Sequence, residues 1–277
     1  MKPESISTDR LSTYRTHHTF LHYAKVTSPE DFIDLCHWSK ENNVPIYVLG
    51  NGSNTLFARR NIQTLICKNA LPSTMRDLGD HRYEVSSSMQ VHAVLQHCLA
   101  HSLDCFYHLA SAPATIGGAL AMNAGGVGSN TIYDFVESIT YCSAEQGLVT
   151  QQKSEIPLAF RKTPFTGLHQ QLIVSAVFHF PVTNIQGNPI EERIAWSRIY
   201  QDHTAPSCGS VFKKKNKYIL LVLCGVRYGG ARYSSKLSNW IGNRSKESRP
   251  IIHLITLATF LHKLLFQRIE LEQVIVR

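Results

Sequence analysis

The segment that most limits what this chain can fold into is VLGNGSNTLF, residues 48–57, a burst of turn-forming residues straight after an apolar run. Val44-Pro45-Ile46-Tyr47-Val48-Leu49 is short, β-branched and aromatic, and reads as a buried strand. Gly50 and Gly52 can take positive φ and carry no Cβ, so backbone N–H groups can converge on an anion there. Ser53 and Asn54 add side-chain donors. A phosphate cradle and a plain strand-to-loop turn both satisfy this pattern, and Gly-x-Gly alone does not choose between them.

A second cluster of small residues, ASAPATIGGALAMNAGGVG, fills residues 110–128. Tight packing of helix or strand explains Gly117-Gly118-Ala119, but not why Asn123 sits in a further glycine-rich turn. Two such clusters suit a dinucleotide with a pyrophosphate and a large planar ring.

Around them the pattern is mixed. Strands are expected at Tyr23–Val26, 44–49, Ile62–Lys68, Arg82–Ser87, Val136–Cys142, Leu148–Gln152 and Leu172–Phe180, with a terminal strand at Ile269–Val276. Helices are expected at 29–43, with Phe32, Leu35, Cys36 and Trp38-Ser39 on one side, at Val91–His101 and at Pro250–Leu265. Residues 182–192 (VTNIQGNPIEE) are turn-rich and mark a domain boundary. The expectation is an α+β chain in two parts, residues 12–185 and 194–277.

Composition narrows the function. With 43% hydrophobic and 17% charged residues the 277-residue chain is globular. No apolar run nears the ~20 residues that span a bilayer, and MKPESISTDR lacks a signal-peptide core, so a cytoplasmic protein with no membrane partner is expected. Seven cysteines, never spaced as CxxC, and fourteen dispersed histidines argue against a metal site or a disulfide framework. The formal charge of +8 gathers partly in Lys213-Lys214-Lys215-Asn216-Lys217 and in 244–249. Neither stretch carries interleaved aromatics or a nucleic-acid motif, so no nucleic-acid partner is expected; a phosphorylated small-molecule substrate accounts for the excess. The lysine run is expected on a loop, recruiting substrate phosphates or standing as a solvated surface run.

The motifs, taken together, resemble the UDP-N-acetylenolpyruvoylglucosamine reductases. The first loop is similar in Gly50-x-Gly52-Ser53-Asn54-x-Leu56. The second is similar in Pro113-x-Thr115-Ile116-Gly117-Gly118-Ala119 followed by Asn123-Ala124-Gly125. Further matches are Phe160-Arg161-x-x-Pro164-Phe165, Ser207-Cys208-Gly209-Ser210-Val211-Phe212-Lys213 and Gly229-Gly230-Ala231, in order over nearly the whole chain. The resemblance implies an FAD-binding region of the PCMH/vanillyl-alcohol-oxidase type followed by a smaller α/β substrate lobe. It implies that FAD is held by Gly50, Asn51, Gly52, Ser53, Asn54, Thr115, Gly117, Gly118 and Asn123, with residues 50–54 on the pyrophosphate and backbone donors of 115–119 and Asn123 completing that site. NADPH would reduce the flavin, which would reduce UDP-N-acetylglucosamine enolpyruvate in peptidoglycan synthesis. Ser210 would give the proton, while Arg161 and a C-terminal Glu would stabilise the growing charge. A monomer is expected.

The departures are also specific. The family's glycines after Thr-Phe are absent from Thr19-Phe20-Leu21-His22-Tyr23-Ala24. A Gly-Leu-Glu becomes Cys105-Phe106-Tyr107, a Tyr becomes Phe160, and a His becomes Leu237. Leu271-Glu272-Gln273-Val274 is one residue short of the family's Leu-x-x-Glu-Val, so either Glu272 or Gln273 takes the catalytic place, and Glu272 is chosen here. These losses keep open a degenerate homologue that binds flavin or nucleotide with little turnover.

Overall fold

The structure, a computed structural model, describes residues 1–126 and 130–277; Val127 and Gly128 of the second glycine cluster lie outside the described residues. The chain divides into two compact units, one made of residues 1–4, 22–50 and 65–195, the other of 5–21, 51–64 and 196–277. The late break falls within a few residues of the expected 182–192 boundary. Two earlier segments, 5–21 and 51–64, group with the C-terminal part, which a contiguous division at 12–185 does not foresee.

In the first unit, helix α1 (Pro29–Glu41) starts on a capping box, Ser28 Oγ accepting from Asp31 N at 3.1 Å while Asp31 accepts from Ser28 N. It buries Phe32, Leu35, Cys36 and Ser39, the face expected of it except that Trp38 is only partly buried. The helix joins two parallel strands, His18–Val26, which begins five residues before the expected Tyr23, and Ile46–Leu49, between which Leu65–Asn69 is laid. A second, five-stranded antiparallel sheet runs in the order Gly147–Gln152, Val136–Ser143, Gln171–His179, Arg82–Ser86, Met75–Gly79. Helix α2 (Val91–Ala100) covers it with Val91, Val94, Leu95 and Cys98, beside a ring cluster of Phe106, Phe178 and Phe180.

The glycine cluster at 116–121 is a helix, α3 (Ile116–Ala121), with Thr115 as N-cap. Two glycines in six residues hide it from propensity, each costing about 1 kcal/mol relative to Ala. Packing overrides them: a Cβ on Gly117 would stand 2.8 Å from Ser87 Cβ, so only glycine lets the helix meet that strand end. Helix α4 (Pro189–Tyr200) begins inside the stretch expected as a break, and its exposed Trp196, Ile199 and Tyr200 explain why no apolar stripe is visible in its sequence.

In the second unit a three-stranded antiparallel sheet (Arg227–Tyr228, Ala231–Tyr233, Ile241–Asn243) packs under helix α6 (Arg249–Leu264), which buries Ile251, Leu254, Ile255, Ala258 and His262. Helix α5 (Lys217–Val222), capped by Asn216, starts at the end of the lysine run, and the strand Phe212–Lys214 carries its beginning. The run is thus only in part a loop. The expected terminal strand is two: Glu270–Leu271 pairs antiparallel with Phe212–Lys214, and Val274–Val276 pairs parallel with Thr55–Phe57. Between them Glu272 and Gln273 leave both ladders, their N–H groups turned to Val211 O.

Candidate cofactor and catalytic site

Each unit holds part of the expected residue set. In the first, Val48, Gly50, Thr115, Gly117, Gly118 and Phe165 are among the residues lining a partly open cleft. A Cβ on Gly50 would come 2.8 Å from Thr115 Oγ1, so the end of the 46–49 strand reaches the α3 N-cap only as glycine. Lys68 Nζ donates to Gly50 O from below, and burial pushes its ammonium pKa down.

Of the backbone donors expected to meet a phosphate at 115–119, those of 116–119 are committed elsewhere. Ile116 N donates to Met89 O and Gly117 N to Ser87 O, each at 2.8 Å; Gly118 N donates to Thr115 Oγ1, and Ala119 N to Thr115 O. These glycines therefore provide room rather than donors. Asn123 is in the left-handed region (φ 42°), donates Nδ2 to Ala159 O at 3.0 Å, and is buried. Its Oδ1 is buried with no hydrogen-bond partner among the described residues. Because Ala159 O requires the amide nitrogen, the orphan is an acceptor, and an acceptor repels phosphate oxygens. It suits a hydroxyl or N–H instead.

Arg161 (φ 54°) donates Nη1 to Asn123 O at 3.0 Å and Nη2 to Gly125 O at 2.6 Å, and its guanidinium lies 4.9 Å from the Phe160 ring centroid. It holds the 123–125 turn in place, a structural job that its motif does not announce. His108 packs near Gly126, its Nε2 is buried without a partner among the described residues, and burial first, then Arg193 and Arg161, lower its pKa. Lys68 and His108 escaped sequence reading, since a lone Lys on a strand and a lone His in a loop carry no pattern.

In the second unit the first loop continues. Gly52 has φ 67°, and a Cβ there would lie 2.0 Å from Leu11 O. Asn51 and Ser53 are half-buried on the same turn. Asn54 clips the C-terminal tail, donating Nδ2 to Glu272 O and accepting from Val274 N, both at 3.0 Å. Ser210 follows the Gly209 turn (φ 73°), is half-buried, and bridges Trp240. The neighbouring Cys208 thiol is buried 3.1 Å from Thr13 Oγ1, and burial raises its pKa.

The two candidates for the C-terminal catalytic place differ in burial. Gln273 is 3% exposed; both atoms of its amide lie 3.1 Å from the hydroxyl of fully buried Tyr14, and Nε2 reaches Gly209 O at 3.4 Å. Glu272 is half-buried, and its backbone bonds to Val211 and Asn54. The neutral amide of Gln273 therefore abuts the turn carrying Ser210.

Residues 20–151 match the model of an FAD binding domain. The UDP-N-acetylenolpyruvoylglucosamine reductase of Aquifex aeolicus is 29% identical over 220 residues, covering 76% of this chain and 73% of that protein. The protein of the same name from Synechococcus sp. (strain WH7803) is 27% identical over 252 residues, covering 84% of this chain and 80% of that one. Among solved structures, the UDP-N-acetylenolpyruvylglucosamine reductase of Thermus caldophilus superimposes with a TM-score of 0.78 at 21% identity, covering all of both chains. A solvent-stable cholesterol oxidase shares the fold over 65% of this chain and 39% of its own, with a TM-score of 0.50 at 15% identity. In sequence and fold the chain is similar to the UDP-N-acetylenolpyruvoylglucosamine reductases; it is α+β in class, and its residues 20–151 match an FAD binding domain.

Proposed function

We propose that the chain carries FAD and uses NADPH to reduce UDP-N-acetylglucosamine enolpyruvate to UDP-N-acetylmuramate, a step of peptidoglycan synthesis in the cytoplasm. Residues 12–185 would form the FAD-binding region and 194–277 the substrate-binding domain. The observation that carries the reading is the pair of glycine cradles, Gly50 against Thr115 and Gly52 against Leu11, on a chain whose residues 20–151 match an FAD binding domain.

FAD, when bound, supplies the hydride that NADPH brings. The residues that would hold it are Gly50, Asn51, Gly52, Ser53 and Asn54, with Thr115, Gly117 and Gly118 giving close approach. The orphaned acceptor of Asn123 fits a hydroxyl or N–H of such a group rather than its pyrophosphate. Ser210 donates the proton that the substrate carbon takes up; a hydroxyl is a weak acid, so it must be held and polarised at the moment of transfer. Arg161 balances charge growing on the substrate carboxylate, and the carbonyls of Asn123 and Gly125 fix where its guanidinium stands. The tail acts on Ser210 through Gln273, whose amide donates to Gly209 O, rather than through Glu272.

Reconstitution with FAD followed by visible absorbance tests the cofactor; no flavin bands would end the reading. NADPH oxidation that depends on the UDP-sugar supports the full reaction. Oxidation without that dependence, or none, assigns the chain to the flavin-binding homologue of low turnover, a reading favoured by the neutral Gln273 and by Leu237.

Asn123→Gly keeps the positive φ but removes the buried acceptor and the Ala159 bond. FAD affinity, followed by quenching of flavin fluorescence, should fall about tenfold, near 1.4 kcal/mol. An unchanged dissociation constant would leave Asn123 a turn residue only.

Glu272→Gln should change kcat/KM by less than about threefold, well below the 10²–10⁴ of a lost general acid or base. Gln273→Glu should add a new ionisation to the pH profile, because a carboxyl buried at this place has its pKa raised by desolvation. The sign for stability follows. The folded variant holds its proton to higher pH than the unfolded chain does, so stability is full below about pH 4.3 and falls as pH rises toward the raised value. Large loss in Glu272→Gln with a silent Gln273→Glu would restore Glu272 to the catalytic place.

A further inference from the structure

The second unit carries an apolar surface that its own core does not use. On α6 the buried stripe is Ile251, Leu254, Ile255, Ala258 and His262. A second stripe at helical spacing, Leu257, Phe260 and Leu264, faces away from that core, 37%, 59% and 59% exposed. The helix runs out through Leu265, 55% exposed, into Phe266, 95% exposed and in the left-handed region at φ 53°, a conformation that a bulky side chain rarely adopts. Asn216 ties α5 to this end, its N–H donating to His262 Nε2 at 3.0 Å and its Nδ2 to Gln267 Oε1 at 3.0 Å. From α5, Tyr218, Leu221 and Val222 are also exposed. With aromatic side chains of about 200 Å² each, Tyr218, Phe260 and Phe266 alone leave roughly 400 Å² uncovered, the size of the largest apolar patch on an ordinary monomer.

Charge says what this face meets. Residues 212–229 and 249–269 contain eight Lys and Arg and no Asp or Glu. Glu270 offsets part of this by pairing with Lys213 at 2.8 Å and Lys214 at 3.4 Å. Lys217, Lys263 and Arg268 remain exposed beside the apolar side chains. A second copy of the same face would bring like charges together around its rim, whereas an anionic lipid surface offers acyl chains to the phenylalanines and phosphates to the lysines. No helix among the described residues is long and apolar enough to cross a membrane, so α6 can only lie along one.

We propose that the α5–α6 face is a peripheral docking surface for anionic phospholipid membranes, contrary to the expectation from sequence that the chain has no membrane partner. Such contact is electrostatic and reversible, and it concerns neither the glycine cradles nor Ser210.

The test is co-sedimentation of the full chain with vesicles of phosphatidylcholine alone or mixed with phosphatidylglycerol, alongside sedimentation velocity without lipid. Binding is expected to the mixed vesicles only, weakened by high salt and by Lys217→Ser with Lys263→Ser. The double variant Phe260→Ser, Phe266→Ser should lose it by at least about tenfold, since burying even one phenylalanine is worth that factor. Both positions are solvent-exposed, so an unchanged melting temperature verifies folding. Absence of binding to the mixed vesicles, or binding that the phenylalanine substitutions do not alter, overturns the proposal. So does a lipid-free dimer that those substitutions dissolve, which would assign the face to a second copy.

Discussion

Ser210→Ala should leave reduction of the bound flavin by NADPH nearly intact and slow its reoxidation by the UDP-sugar about 10²–10⁴-fold, the usual loss on removing a positioned general acid. The first half-reaction needs no proton from this residue, whereas in the second the hydride must move with no partner proton ready. Ser210 is half-buried behind the positive-φ turn at Gly209, so removing its oxygen creates no core cavity and the fold should persist. Ser210→Cys should recover part of the rate, because a thiol also donates. Stopped-flow traces of the two half-reactions decide the matter: equal slowing of both, or of neither, excludes Ser210 as the acid. Ser207→Ala and Cys208→Ala are the necessary controls. The second also removes a thiol within reach of Ser12 and Thr13, so its stability must be measured separately.

Gly52→Ala should be the most damaging single-atom addition in the first loop. The new Cβ would lie 2.0 Å from Leu11 O and 3.1 Å from Ser12 Cα, both backbone, at a φ of 67°. The left-handed conformation alone costs roughly 1–2 kcal/mol for an L-residue, and backbone cannot swing aside as a side chain can. A total of about 3 kcal/mol or more is expected, lowering the melting temperature by roughly 6–12 °C. Gly147→Ala separates the two causes, since φ there is 66° but nothing lies within 4 Å of the new atom. That variant should lose only the conformational part, about 1–2 kcal/mol. Equal melting temperatures for the two variants would mean that Leu11 yields, and that the loop is softer than its packing implies.

Periodic segments were legible because burial wrote their pattern. Phe32, Leu35 and Cys36 line the buried side of α1, and Ile251, Leu254, Ile255 and Ala258 that of α6. Where packing acts against propensity the pattern is silent. Helix α3 carries Gly117 because a Cβ there would stand 2.8 Å from Ser87 Cβ, and Gly118 is crowded less, at 3.3 Å from Thr115 Oγ1. The terminal strand breaks at Glu272 because two N–H groups turn to Val211, which alternation of apolar residues cannot signal. The site was legible as motif but not as chemistry. The N–H groups of 116–119 looked like free donors, yet Met89, Ser87 and Thr115 already accept from them. Arg161 looked like a substrate contact, yet it also anchors the turn at 123–125. The lysine run looked like a free basic loop, yet Lys213 sits 2.8 Å from Glu270.

The bond from Asn54 to Glu272 joins residues 218 apart in sequence. The loop at 51–54 leaves the ribosome early and stays without its clasp until nearly all the remaining chain has been made. Its strand, Thr55–Phe57, waits equally long for Val274–Val276. During that interval Leu56, fully buried at the end in a cluster formed mostly by residues 208–258, lacks most of its cover, and loop closure over such a distance is slow. The second unit is therefore completed late, being assembled from three separated pieces of which two are made early. Its folding yield in the cell should depend on chaperones that hold residues 51–64 during synthesis.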